Sequence, residues 1–151
     1  MNRLQAGKEA ALAALALVGG SIAQLLGGWD AALQVLVGFM AADYLTGLVL
    51  AGVFRRSSKS ATGALESRAG FQGLMRKGGI LLLVYLAVLL DKALGSALTR
   101  NAVCFFFIAN EGLSILENLG LMGVPYPEIL KNTLELLRED ADTGKEESHG
   151  L

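Results

Sequence analysis

Residues Leu33 to Phe54, LQVLVGFMAADYLTGLVLAGVF, form a 22-residue apolar run broken by one carboxylate, Asp43. At ~1.5 Å per residue, such a run crosses a hydrocarbon core of ~30 Å as a helix. Its eleven Leu, Val and Phe residues contribute about −3 to −7 kcal/mol to insertion, against roughly +2.5 to +3.5 kcal/mol for one central Asp. The segment therefore inserts, but an ionisable group inside a span calls for a partner.

Composition points the same way. Of 151 residues, 53% are apolar, mean hydropathy is +0.50 and there are 19 glycines, as in a small multi-span membrane protein. The expected fold class is all-α: an integral membrane protein with about four transmembrane helices and a C-terminal amphipathic helix. Cys104 is the only cysteine and His149 the only histidine, which argues against disulfides within the chain, zinc sites and catalytic triads. No cofactor, no metal and no enzymatic activity are expected.

Around span two the chain arranges three more spans. Span one runs from about Glu9 to Gly28. Arg3 and Lys8 ahead of an apolar run imitate a signal peptide, but the run continues past the cleavage-like Ala14-Leu15-Ala16, so an uncleaved span is expected. Gly19, Ala23 and Gly27 recur every four residues, a spacing that lets helices approach closely; Gly19-Gly20 equally suits a kink. The link from Trp29 to Ala32 is short enough to make spans one and two a hairpin. On span two, Asp43, Thr46 and Gly47 share a face. Gly47 is expected to admit another helix beside Asp43, and Thr46 to hydrogen-bond it or the backbone.

Span three, about Gly79 to Leu98, carries Asp91 near its outer end. Pairing with Lys92 or Arg100 competes there with a plain interfacial position, and the interfacial reading is preferred. Span four, Asn101 to Gly123, places Asn110, Glu111, Ser114, Glu117 and Asn118 within an arc of ~120°. Ten Leu, Ile, Val and Phe residues offset the two carboxylates and two Asn only marginally, so this helix needs polar partners or water. The competing reading makes the part after about Ala109 an interfacial helix. Residues 1–124 thus form a transmembrane unit. Pro125 and Pro127 break it, residues 125–138 form an amphipathic cytoplasmic helix carrying Leu130, Leu134 and Leu137, and residues 139–151 an acidic, disordered tail.

The loop between spans two and three, residues 55–79, holds Arg55, Arg56, Lys59, Arg68, Arg76 and Lys77 against a single Glu66. It reads first as a topology signal and second as a site for anionic lipid. Aromatic partners other than Phe71 are missing, so nucleic-acid binding is not expected. Eleven cations fall in the N-terminal lead, this loop and the C-terminal region, against Lys92 and Arg100 alone on the other side. By the positive-inside rule both termini are cytoplasmic.

Asp43-Tyr44-Leu45-Thr46-Gly47 after a hairpin, Gly70 to Lys77 ending in Leu74-Met75-Arg76-Lys77, Asp91, Asn110-Glu111, Ser114-Ile115, Glu117-Asn118, and Gly123 with Pro125 and Pro127 before Leu130 follow one another in an order that resembles the toxin-secretion/phage-lysis holin family. The resemblance spans about Leu33 to Leu137. It implies a phage- or prophage-encoded protein of the bacterial inner membrane. Such a protein forms a homo-oligomer that permeabilises the bilayer and releases an endolysin, or in some relatives a toxin, without necessarily touching it. The next methionine after Met1 is Met40, so an inhibitor made from a nearby second start is not supported. Under this reading Asp43, Thr46, Asn110, Glu111, Ser114, Glu117 and Asn118 make interhelical polar contacts or line a pore. Two other readings compete: a proton- or ion-coupled channel or transporter titrating at Asp43 and Glu111, and a structural membrane partner docking another protein through its C-terminal helix.

Overall fold

The computed structural model describes residues 3–55 and 67–144. Arg56 and Lys59 of the basic loop, and the tail from Lys145 onward with His149, lie outside the described residues. Among the described residues the chain is helical throughout, without strands: α1 (Arg3–Leu25), α2 (Ala31–Val49, continuing as a π-helical turn Leu50–Phe54), α3 (Ser67–Leu94), α4 (Leu98–Leu121) and α5 (Glu128–Thr143). The first four are each long and apolar enough to cross a membrane. Helices are required at that depth because lipid offers no partner for a backbone N–H or C=O.

α4 is the hub and packs against α2, α3 and α5. Leu33, Leu36 and Met40 of α2, Ile80 and Val84 of α3, and Cys104 and Ile108 of α4 make the apolar core. On α3 the buried positions are Lys77, Ile80, Val84, Ala87, Val88 and Asp91, one stripe with three- and four-residue steps. Leu82, Leu86, Leu89 and Leu90 point outward, as lipid-facing side chains do.

Several boundaries differ from the sequence reading. α3 begins twelve residues before Gly79, so most of the expected 55–79 loop is helix. Gly78-Gly79 does not end it; both glycines face open space, and continuing the helix satisfies every backbone group in their neighbourhood. Tyr44 of α2 lies against Gly70 and Gly73, which lets the two helices run side by side there. α1 contributes no buried residue. Gly27 is not part of a helical small-residue face: α1 ends at Leu25, and Gly27 (φ 93°) and Gly28 (φ 104°) form a left-handed turn that most side chains resist. Gly19 has nothing near it, and Ala23 touches the edge of the core.

α5 also departs from expectation. It extends to Thr143, beyond the anticipated end near Glu139, and Gly144 closes it in a left-handed conformation. It does not lie apart from the bundle but folds back antiparallel along α4. Leu134 sits over Gly112, and Ala141 and Asp142 share a recess with Thr99 and Val103 near the start of α4. Its seven ionisable side chains are therefore carried alongside a spanning helix. In lipid, each Asp, Lys or Arg at mid-depth costs roughly +2.5 to +3.5 kcal/mol.

Candidate functional site

Two polar clusters flank the apolar core. The deeper one is centred on Lys77. Its Nζ donates to Asp43 Oδ2 at 2.8 Å and also to Glu111 Oε2, so one ammonium joins α2, α3 and α4. All three side chains are almost completely shielded. Asn118 Nδ2 donates to Thr46 Oγ1 at 3.0 Å and to Asp43 Oδ1 at 3.3 Å. Thr46 Oγ1 donates in turn to the Ala42 carbonyl, 2.9 Å away. Gly47 lies beside this contact, and a Cβ there would stand 3.8 Å from the Asn118 amide nitrogen, an ordinary van der Waals distance.

The second cluster lies at the opposite end of the bundle. Asp30 caps α2 by accepting from the Leu33 N–H at 3.0 Å. Arg100 grips the same carboxylate with both terminal nitrogens, at 2.6 and 3.0 Å, and donates Nε to the Leu26 carbonyl at 3.1 Å. Gly27 makes room for this, since a Cβ would lie 3.1 Å from Arg100 Nε. Asp91 accepts from the Thr99 and Arg100 backbone N–H groups at 3.0 and 2.8 Å, and so caps α4 across the α3–α4 turn. The Arg100 hydrogen bond holds the Asp30 carboxyl below its ordinary range, outweighing the opposing effect of burial.

Helix rise fixes the separation of the clusters. Asp43 is thirteen residues from Asp30, and Lys77 fourteen from Asp91, so the triad lies ~20 Å from the end cluster, about two-thirds of the way across a ~30 Å core. Two carboxylates share one ammonium at that depth. Such a cluster holds helices together tightly, yet it can exchange partners with equivalent groups or with water.

The structure thus brings together Asp43, Thr46, Glu111, Asn118 and Gly47 from the sequence-nominated set. The polar arc of α4 splits along its length. Glu111 and Asn118 form one edge and turn inward, Asn110 and Ser114 are half-buried, and Glu117 is exposed. Lys77, expected among the loop cations as a topology or lipid residue, is instead carried by α3 into the bundle as the cation of the triad. Arg55, Arg68 and Arg76 remain exposed. Asp91 is a buried helix cap rather than a plain interfacial residue. Asp30 and Arg100 were not singled out as a pair. No group of three metal-ligating side chains occurs among the described residues.

Known proteins share this sequence pattern. That of the bacteriophage holin family matches residues 20–139. An uncharacterised protein of Listeria innocua is 44% identical over 124 residues, 82% of this chain and 81% of its own. A 14.9 kDa protein encoded in the nagH 3′ region of Clostridium perfringens is 41% identical over 115 residues, 75% of this chain and 81% of its own. A probable holin of Bacillus phage phi105 is 33% identical over 105 residues, 66% of this chain and 69% of its own. No solved structure matches.

Proposed function

The chain belongs to the bacteriophage holin family, and from that premise we propose that it oligomerises in the bacterial cytoplasmic membrane and opens it to a cell-wall endolysin, or to a toxin, during host lysis. The observation that carries this reading is the Lys77–Asp43–Glu111 cluster. Three spanning helices are tied at depth by charges rather than by apolar packing alone. Charged groups in lipid demand each other or water, so a change of partner from within one chain to between chains, or to water, is a discrete rearrangement. That suits a protein that accumulates harmlessly and then acts at a threshold density. Asn110, Ser114 and Glu117, on the other edge of the α4 arc, are the α4 groups placed to meet water in the assembled state.

Orientation follows from charge. With Lys77 assigned to the cluster, the cations outside it still strongly favour the side of the N-terminus and the α4–α5 link, so that side is cytoplasmic, and the C-terminus shares it while α5 is undocked from α4. Arg55, Arg56, Lys59, Arg68 and Arg76 then face anionic headgroups.

Expressed alone, the protein is expected to arrest growth abruptly, and a co-expressed endolysin is expected to reach the wall only when this chain is present. Loss of membrane potential with retention of the enzyme would instead identify an ion-conducting channel. Continued growth with full potential at high expression would remove the reading altogether.

A further inference from the structure

We propose that α5 is a water-facing wall of the assembled lesion, docked on α4 only in that state; this deepens the hole-forming reading above and rests on it. The inner face of α5 is built to seat on α4. Leu134, Leu137 and Ala141 recur at three and four residues, and all three are partly buried. Gly112 supplies the seat: a Cβ there would sit 2.8 Å from both Leu134 methyl carbons and 3.1 Å from Phe39, so a larger residue must displace the Leu134 side chain from its place. Leu137 reaches the apolar core itself.

The outer face is the reverse. Lys131, Arg138, Glu139 and Asp142 are exposed, and Lys131 and Glu135 face each other at 3.8 Å one turn apart. Because α5 runs alongside a helix that crosses the bilayer, these charges stand at the depth of the acyl chains. Lipid cannot solvate them and no other helix among the described residues covers them, so the docked position requires water opposite. In a dispersed chain surrounded by lipid, α5 instead rests at the interface with its charges in water and its leucines toward the bilayer, as a helix of this amphipathic character does. Docking of α5 and the presence of water at depth are therefore two sides of one transition.

A disulfide tether tests this in the full chain with Cys104→Ala, so that only introduced thiols react. Gly112→Cys with Leu134→Cys joins α4 to α5 where they touch; Val103→Cys with Ala141→Cys does so while sparing Gly112, should the first pair fold poorly. Cells are treated with a membrane-permeant thiol oxidant before and after the onset of lysis, and cross-linking and endolysin release are both scored. The expected result is little cross-linking in dispersed chains, extensive cross-linking after onset, and undiminished release by the tethered protein. Equal cross-linking before and after onset, or loss of release on tethering that the reduced protein does not show, overturns the proposal. Failure of the wild-type chain to release endolysin at all would instead overturn the hole-forming reading, whatever the tether shows.

Discussion

The two polar clusters use similar residues to opposite ends. At the deep cluster Lys77 donates to two carboxylates, and the three groups come from three different helices. At the end cluster the charges mostly serve the backbone: Asp91 caps α4, Asp30 caps α2, and Arg100 holds a carbonyl of the α1–α2 turn. Asp30 is half exposed, whereas the triad is sealed. The end cluster defines where helices begin and can be anchored by water when a partner is lost. The deep cluster has no such fallback. Charge at an interface fixes geometry, and charge at depth makes helix association all-or-none.

Removing the central cation should give the largest effect. Lys77→Met takes the shared cation from two buried carboxylates, and breaking a buried pair from one side typically costs about 3–5 kcal/mol. Thermal unfolding in detergent should shift strongly downward and endolysin release should fail. Neutralising all three groups, as Lys77→Met with Asp43→Asn and Glu111→Gln, should restore most of the stability, since no unpaired charge remains. If Lys77→Met alone unfolds like the wild type, the triad does not hold the bundle and the contrast between the clusters collapses.

Arg100→Ala should have an intermediate effect. It removes a two-pronged ion pair and the bond to the Leu26 carbonyl, contacts to a charged group worth about 1.5–3 kcal/mol. The Asp91 cap survives because it uses the Arg100 backbone, not its side chain. The expected signature is local: faster proteolysis in the Gly27–Asp30 turn, with α2, α3 and α4 still protected. Global unfolding instead would mean that the end cluster, too, holds the bundle together.

Much of this arrangement was legible in the sequence. Four apolar runs gave the spans, and their parity places the α1–α2 and α3–α4 links on the same side, which brings Asp30, Asp91 and Arg100 to one end. The same reckoning puts Asp43 and Lys77 at one depth, each about two heptads from that end. Lys77 nevertheless falls within the cation-rich 55–79 stretch, whose composition suits a loop. The i, i+7, i+14 register of Lys77, Val84 and Asp91 was the available signal. The docking of α5 was not legible: an amphipathic helix after two prolines fits a membrane surface equally well, and only the space at Gly112 selects α4. Gly27 misled in the opposite direction, since four-residue spacing says nothing about where a helix stops.

The smallest effect is a pH dependence confined to the end cluster. Arg100 holds the Asp30 carboxyl below its ordinary range, so the folded protein keeps that group ionised to lower pH than the unfolded chain does. Its stabilisation is complete above the ordinary carboxylate range and fades as pH falls through the lowered folded value. Because the carboxylate is half exposed, screening keeps the contribution at about 0–1 kcal/mol. Asp30→Asn isolates the charge, because Asn caps a helix as well as Asp does. Wild type should therefore exceed Asp30→Asn slightly in melting temperature at neutral pH, and the gap should close on acidification. A gap that is unchanged in acid would mean that the Asp30–Arg100 ion pair is not its source. Adding salt separates the clusters further: it should narrow the gap at neutral pH, where water reaches Asp30, and leave the penalty of Lys77→Met untouched, where no counterion can follow.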